Sequence, residues 1–370
     1  MSYPRAILTV DLARLRENFA AIRDRVSPCK CLAVIKADAY GLGIVPVAAT
    51  LAPLADVFAV AELQEALDVA KFNVPVMIFG ALFDDEIPVA IANDFIIPVG
   101  CFESAEKVNA AAGRLQKKCR VVLVVDSGMG RLGESVETAA GVVVKAAALK
   151  NISIQAVYTH CATAAEKNDI HVLRQIEKFK AMLSALGHAN INIPDCHIAA
   201  SDAIFNYPES LHQPFNFARI GLAMYGMNQK SFPDAALKSV CRFSSRLLAV
   251  RRLPAGSAIG YGRSCILKES MLVGTVGCGY SSGLPLALSN TGRMLVRGVS
   301  CPVLGRVSMD YTTISLQNVP DAEIGDEVVA LGEQGNEIIS AGEWAELKKT
   351  HVHEILCSIS GRVERKYING

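Results

Sequence analysis

The sequence lacks an excess of charge of either sign. Its 370 residues include 37 Lys and Arg against 36 Asp and Glu, which leaves a net charge of +1. Such a balance gives no electrostatic attraction for nucleic acid or an anionic membrane. It also lacks an apolar stretch long enough to span a bilayer, and the segment MSYPRAILTVDL lacks the pattern of a secretory leader. We therefore expect a cytoplasmic protein that binds a small molecule, with no nucleic-acid or membrane partner.

The eleven cysteines lack the spacing of a metal site or a disulfide framework. Cys29 and Cys31 are separated by one residue, as are His351 and His353, whereas zinc ligands are commonly spaced as CxxC. The other cysteines are scattered among apolar neighbours, and their total is odd. We predict no metal site, and we interpret the cysteines as small core residues of a reducing compartment.

Short apolar runs alternate with longer amphipathic segments between residues 30 and 220, which is typical of βα units. Segments such as AELQEALDVAKF and LRQIEKFKAMLSALGH have apolar residues at intervals of three and four. Eight strands with intervening helices predict an α/β fold, a (β/α)8 barrel of the TIM type over residues 1–235. The predicted strands are CLAVIK ending at Lys36, DVFAVA from Asp56, PVMIFG from Pro75, FIIPVG from Phe95, CRVVLVVD ending at Asp126, ISIQAVYTH ending at His160, DCHIAA ending at Ala200 and FNFARIG ending at Gly221.

Unusual polar side chains lie at or just after the ends of five of these predicted strands. In barrels of this type the active site lies on the face formed by the carboxyl ends of the strands. A single Arg or His there is often only a cap or an ion-pair partner, but five on one rim favour a functional site. The five residues are Lys36, Arg131, His160, Ser201 and Arg219.

The pattern changes after about residue 235 to short alternating runs punctuated by glycine and proline. Runs such as RLLAVRRLPAGS and MLVRGVSCPVLGRVSMDYTTISL predict a mostly-β domain, sandwich or barrel, over residues 236–370. The early run AILTV could return to pair with this sheet. The polar landmarks of the domain are Tyr261, Tyr280, Arg306, Met309 and Asp310.

Lys36 follows the apolar run CLAVI and precedes ADAYGLG, so it lies where a buried strand opens into a loop. Burial disfavours the ammonium form, and a neutral amine can attack an aldehyde, as the lysine of a pyridoxal 5'-phosphate (PLP) enzyme does. The alternative is a surface lysine whose stem packs on apolar neighbours.

Six segments, in this order and spacing, resemble those of the alanine racemases. The combination of the lysine, arginine and late GRVSMDY segments is specific, and the resemblance covers essentially the whole chain. It implies a PLP-binding barrel followed by a β domain, in agreement with the periodicity. The segments are AVIKADAYGLG at 33–43, VDSGMGRLG at 125–133, AVYTHCATA at 156–164, ARIGLAMYG at 218–226, GYG at 260–262 and GRVSMDY at 305–311.

The resemblance implies two catalytic bases. Lys36 matches the lysine that binds PLP covalently and handles the proton of the D-amino acid, and Tyr261 matches the tyrosine that reaches the cofactor from the neighbouring subunit and handles that of the L-enantiomer. Racemisation needs such a pair, because the α-proton leaves one face and returns to the other. A phenol normally has a pKa near 10, so a nearby cation, Arg131, would help it act as a base. A homodimer with shared active sites follows.

The remaining family roles concern the cofactor and the substrate. Arg219 matches the arginine that faces the pyridine nitrogen, and His197 matches the histidine beside it. Because an arginine stays protonated, it should leave the ring nitrogen unprotonated and suppress side reactions. The implied cofactor-binding set is Lys36, Tyr40, His160, Ser201, Arg219, Gly221, Leu222 and His353; the implied substrate-binding set is Arg131, Tyr280 at the gate and the Met309 backbone amide.

The chain departs from the family pattern at several of these segments. Val124 replaces a lysine that many members carry as a carbamate orienting the arginine, so a bound anion or another side chain must hold Arg131. Ala200 replaces an asparagine, and Ser281 with Ser282 replaces Ala-Asp after the gate tyrosine.

The fourth departure is His353, which stands where the family has a tyrosine that touches the phosphate and narrows the entrance. A histidine ring is shorter than a phenol and can carry charge near neutral pH. We therefore keep serine, or broader specificity, as an alternative to alanine, with the reservation that a pocket that tolerates a hydroxyl discriminates weakly.

Two alternatives come from other classes. A PLP-binding regulatory protein without turnover would need neither the β domain nor a second base, and Tyr261 argues against it. A PLP-dependent decarboxylase on a related barrel would draw a reactive carboxylate and a cysteine from the β domain. Cys278 and Cys301 are the candidate cysteines, but neither lies in a decarboxylase-like motif. The favoured interpretation is an alanine racemase that supplies D-alanine for bacterial peptidoglycan.

Overall fold

A computed structural model describes residues 4–227 and 236–370. The strands are β1 (Ile7–Asp11), β2 (Lys30–Val34), β3 (Val57–Val60), β4 (Val76–Ile78), β5 (Ile97–Val99), β6 (Cys119–Asp126), β7 (Glu134–Ser135), β8 (Ile152–Tyr158), β9 (Asp195–His197), β10 (Phe217–Ile220), β11 (Cys241–Leu253), β12 (Ala258–Ile259), β13 (Cys265–Ile266), β14 (Met271–Val276), β15 (Arg293–Val296), β16 (Val299–Leu304), β17 (Thr312–Ser315), β18 (Glu327–Gln334), β19 (Glu337–Ile339) and β20 (Glu364–Ile368). The helices are α1 (Leu12–Val26), α2 (Lys36–Gly41), α3 (Ile44–Leu51), α4 (Leu63–Val69), α5 (Glu86–Ala92), α6 (Phe102–Arg114), α7 (Val136–Ala147), α8 (Ile170–His188), α9 (Ser201–Asn206), α10 (Ala341–Lys348) and α11 (Val352–Cys357).

Eight parallel strands close into a barrel, so the predicted (β/α)8 architecture is confirmed. Two sheets, β10-β2-β3-β4 and β5-β6-β8-β9, supply the strands. A bridge between Met77 and Ile96 joins β4 to β5. The backbone N–H of Arg219 donates to the carbonyl of Ala199 over 3.1 Å and joins the ends of β9 and β10. Each of the eight runs predicted from the sequence overlaps one of these strands.

The helices around the barrel follow the predicted periodicity. In α8 the buried residues recur every three or four positions, and the Asp169 side chain caps the helix by accepting from the His171 amide. The buried set is Val172, Gln175, Ile176, Phe179, Met182 and Leu186. Five of these are apolar, and the exception, Gln175, lies directly behind the active-site face.

The C-terminal half is mostly β, as predicted. Strands β11, β14, β17, β16, β15 and β18 pair in that order, and β18 pairs again with β11, so six strands form a closed ring. Strand β1 pairs antiparallel with β11, Ile7 opposite Ser244, and parallel with β20. The expectation that AILTV returns to this sheet is therefore confirmed.

The end of the first barrel strand and the division between the two domains are two boundaries that the sequence predicted. The predicted first strand was to end at Lys36, but β2 ends at Val34 and Lys36 begins α2. The predicted division between 235 and 236 borders residues 228–235, which lie outside the described residues, and stays a prediction. Within residues 4–227 and 236–370, no helix has the length and apolarity needed to cross a membrane.

Candidate active site

Lys36 lies half-buried on the carboxyl-end face of the barrel, directly after β2. Burial lowers the pKa of its ammonium group, and the positive charges of Arg131 and Arg219 lower it further, against an opposing effect of Glu65. A lowered pKa increases the share of neutral amine. The sequence-based expectation for the environment of this lysine is thus met.

The backbone after Lys36 is left-handed over four consecutive non-glycine residues. The φ angles from Ala37 to Tyr40 lie between 52° and 59°. Such a conformation costs roughly 1–2 kcal/mol per L-residue, so other contacts must stabilise it. The Asp38 carboxylate accepts from the Ile44 amide over 2.7 Å, and Glu65 accepts from the Asp38 amide over 3.1 Å. This turn directs both Lys36 and Tyr40 into the site.

Tyr40, Ser201 and Gly221 form a polar recess beside this turn. The buried Ser201 hydroxyl accepts from the amides of Gly221, over 3.2 Å, and Ala223, over 3.1 Å. A Cβ at Gly221 would lie 2.8 Å from the Tyr40 hydroxyl oxygen, so only glycine leaves the space free. Leu222 begins a short 3-10 helix, and the buried Tyr225 hydroxyl has no partner among the described residues. Hydroxyls and amides gathered around a glycine suit a phosphate group.

Arg219 lies in β10, two residues before Gly221, and is only 3 % exposed. Its guanidinium donates to His197 Nδ1 over 3.0 Å, to His160 Nδ1 over 2.9 Å and to the Ile198 carbonyl over 2.9 Å. Burial lowers its pKa to about 10, which still leaves it charged at neutral pH. Both histidines must accept at Nδ1, so both are neutral with the proton on Nε2.

The pKa values of these two histidines agree with that assignment. Burial, then the charges of Arg219 and Arg131, lowers the pKa of His160 to about 3. Burial and Arg219 hold that of His197 well below its ordinary value. Tyr158 completes the cluster, because its ring stacks on His197 at 5.1 Å and lies 5.3 Å from the Arg219 guanidinium carbon.

Arg131 projects from the loop that follows β6. The Asp126 carboxylate organises this loop by accepting from the amides of Gly128, Met129 and Gly130 over 2.8–3.1 Å. Burial raises the pKa of that carboxyl, but these three donors outweigh burial and the net pKa is lowered. Val124, two residues earlier, is buried and apolar.

Tyr261, Tyr280 and Met309 lie on the β domain with exposed side chains. Their exposed fractions are 72 %, 43 % and 53 %. The Tyr280 amide donates to the Ser308 carbonyl over 3.0 Å, which brings Tyr280 beside the segment of Met309. The single chain does not bury these three side chains in the cluster around Lys36 and leaves them accessible to another molecule.

His353 lies on α11, with its ring 5.7 Å from that of Tyr40. Burial, then Lys36 and His351, lowers its pKa. By accessible surface, however, His353 is exposed in the single chain, and it lies beside the recess.

The other departures have separate surroundings. Ala200 precedes α9 without a side-chain cap. Ser281 Oγ donates to the Asp310 carboxylate over 3.2 Å and accepts from Arg362 over 2.8 Å. Ser282 is buried.

Sequence reasoning missed the parts played by Gln175 and Asp126. Gln175 is 1 % exposed and bonds to the loops that follow both β6 and β8. The sequence signal that could have indicated this role was a glutamine on the otherwise apolar face of a predicted helix. Asp126 lay inside a recognised segment, but its backbone contacts depend on a loop conformation that periodicity does not give.

Two family models match the chain: alanine racemase, N-terminal domain, over residues 10–229, and alanine racemase, C-terminal domain, over 240–367. An alanine racemase from Halothermothrix orenii is 36 % identical over 366 residues, which is 97 % of this chain and 96 % of the relative. The crystal structure of alanine racemase from Streptomyces lavendulae superposes with a TM-score of 0.94 at 29 % identity, covering 100 % of this chain and 98 % of that one. Alanine racemase from Bacillus anthracis with bound L-Ala-P gives a TM-score of 0.90 at 30 % identity, covering 100 % and 96 %.

Proposed function

Since the chain belongs to the alanine racemase family of isomerases, we propose that it interconverts L-alanine and D-alanine with PLP held on Lys36. The observation that carries the proposal is the half-buried Lys36, whose pKa is lowered by burial, Arg131 and Arg219, on the same barrel face as the Tyr40–Ser201–Gly221 recess. A relative from Bartonella henselae, 25 % identical over 99 % of this chain and 100 % of its own, with a TM-score of 0.89, has covalently bound pyridoxal phosphate.

The residues present fit this cofactor. Tyr40, Ser201 and the amides of Gly221 and Leu222 would bind its phosphate, with His353 beside them, and His160 and Arg219 would flank its ring. When bound, PLP supplies a conjugated ring that acidifies the α-proton of an attached amino acid. Because Arg219 keeps its proton, it would donate to the ring nitrogen and could not accept from it.

Two bases of the chain move the α-proton. The Lys36 amine, whose pKa is lowered, takes or returns it on one face, and the Tyr261 phenol does so on the other. Arg131 binds and orients the substrate carboxylate, to which the Met309 amide also donates, and Tyr280 narrows the access. The exposed position of Tyr261 supports a homodimer in which this phenol enters the site of the partner subunit.

We further propose that the product supplies D-alanine for bacterial peptidoglycan from a cytoplasmic location. The division into a barrel over 1–235 and a β domain over 236–370 is part of the same proposal, with β1 contributed back to the second sheet.

The test is racemisation of L-alanine and L-serine in parallel by purified PLP-loaded protein, followed by chiral chromatography. We expect conversion of alanine, and losses of roughly 10²–10⁴-fold in Lys36→Ala and Tyr261→Phe, which is the range for a positioned acid or base. Lys30→Ala, at the opposite end of strand β2, is the matched control and should retain activity. Release of carbon dioxide would identify a decarboxylase, and bound PLP without conversion would favour the regulatory protein.

A further inference from the structure

Arg131 lacks the side-chain partner that its proposed role calls for. In the described part of the chain, its guanidinium forms no hydrogen bond or ion pair. Position 124 holds a valine, which cannot supply the carbamate that orients the corresponding arginine in many relatives. An unrestrained arginine loses about 2 kcal/mol of rotamer entropy when it is fixed. Some other constraint must therefore limit where Arg131 can reach.

The constraint acts on the backbone that precedes Arg131. Asp126 holds the amides of residues 128 to 130, as described above. Ser127, buried at the start of the loop, shares a 2.8 Å hydrogen bond with the Thr159 hydroxyl. His171, at the start of α8, also contacts the loop, because its Nε2 lies 3.1 Å from the Gly128 carbonyl oxygen. The loop is thus fixed up to the residue before Arg131.

Gln175 connects this loop to the one that follows β8. Its amide nitrogen donates to Ser127 Oγ over 3.2 Å and to the His160 carbonyl over 3.0 Å. Its amide oxygen accepts from the Ala162 amide over 3.0 Å. One fully buried side chain on a long helix therefore sets the spacing between the Arg131 loop and the His160 strand end.

We propose that Gln175 is the positioning residue for Arg131 in this chain, and that it orients the arginine through the backbone of residues 127–130 in place of a side-chain partner at position 124. The inference rests on the proposed racemase function for the role of Arg131. The geometry of the Gln175 contacts is independent of that function. Losing Gln175 would remove the hydrogen bonds that it makes to the Ala162 amide and the His160 carbonyl, and one of the two hydrogen bonds of the Ser127 hydroxyl, so both loops would loosen.

The experiment compares Gln175→Met with Gln155→Met. Both replace a glutamine of the barrel domain by a side chain of similar length, but Gln155 bonds Asp195 over 3.0 Å towards the amino end of the barrel, away from the site. In the PLP-loaded enzyme, Gln175→Met should raise the KM for alanine by roughly 10-fold, as for other supporting-residue losses, with kcat within about twofold. Ser127→Ala, which removes one contact, should shift KM in the same direction by less.

Two further readouts do not depend on turnover. Binding of propionate, a carboxylate without the amine, should weaken by the same factor, measured through the absorbance of the bound cofactor. Hydrogen exchange should accelerate in a peptide covering residues 127–133 and stay unchanged in Gln155→Met.

Several results would overturn the inference. These are an unchanged KM and propionate affinity, a fall in kcat alone, or equal losses in both glutamine variants. A KM in the wild type that falls as chloride is raised would assign the orienting role to a bound anion instead. A wild type that racemises nothing would defeat the proposed function, while the exchange measurement would still decide whether Gln175 fixes the loop.

Discussion

Arg219 shows how a buried cation can be held without a carboxylate. Its hydrogen-bond acceptors are two neutral imidazole nitrogens and backbone carbonyls, and the ring of Tyr158 lies against its guanidinium. Neutral acceptors bind the two terminal nitrogens, Nη1 and Nη2, but leave the positive charge uncompensated, which is costly in a buried place. An electron-rich acceptor would relieve that cost. An unprotonated pyridine nitrogen is such a group, so the environment of Arg219 favours the protonation state proposed for the cofactor.

His353 is the residue at which the choice between alanine and serine can be tested. It lies beside Tyr40 and its pKa is lowered, which favours the neutral ring, so we expect its size and hydrogen bonding to determine its effect on specificity. We expect His353→Tyr to lower the serine-to-alanine ratio of kcat/KM by a few-fold, because a longer ring narrows the entrance. The change should be small, because the kcat/KM values of such similar substrates differ by only about 10–200-fold in a pocket that tolerates a hydroxyl. The measurement is the serine-to-alanine ratio of kcat/KM, taken from an assay in which both substrates are present.

The control for this variant is His351→Tyr, on an exposed residue of the same segment. An unchanged ratio in His353→Tyr would mean that position 353 does not govern the substrate. A dominant serine activity in the wild type that survives the substitution would move the determinant elsewhere in the site.

At the scale of single elements, hydrophobic periodicity could not predict the left-handed turn after Lys36. The apolar run before it predicts a strand correctly because its side chains are buried on both faces of the barrel wall. The turn depends instead on Asp38, Glu65 and two glycines, Gly41 and Gly43, at positive φ. These contacts join segments that are distant in sequence, so the strand end was placed two residues too late.

The strain in this turn makes a prediction about Ala37, which is exposed and has a φ of 54°. Ala37→Gly should stabilise the protein by about 0.5–1 kcal/mol. Glycine adopts positive φ without the side-chain clash, and this gain exceeds the opposing effect of the larger conformational entropy that glycine has in the unfolded chain. Ala110→Gly, at an exposed position inside α6, should destabilise by about 0.5–1 kcal/mol. Denaturant unfolding of the three proteins measures both signs. A loss of stability in Ala37→Gly would contradict the account of strain.

At the scale of the whole molecule, local patterns predicted the barrel and the β domain, and the quoted segments gave the candidate site residues, whose roles stay predictions. The contacts of Gln175 were not predictable in this way, because they join three segments across the barrel wall. The return of β1 was only suggested by its isolated position before α1. Its pairing with both β11 and β20 ties the first residues of the barrel half to the C-terminal sheet. The two halves are therefore not independent along the chain.

The exposed Tyr261 makes the strongest prediction about assembly. If each site combines Lys36 of one subunit with Tyr261 of the other, then Lys36→Ala and Tyr261→Phe are each inactive in both sites. A mixed dimer has one site with both substitutions and one with neither. Random reassortment gives half mixed dimers, so roughly a quarter of the wild-type sites should return when the two inactive proteins are unfolded and refolded together with PLP. Activity that stays at the level of the separately refolded proteins, while both form dimers, would place Lys36 and Tyr261 of one site on the same chain.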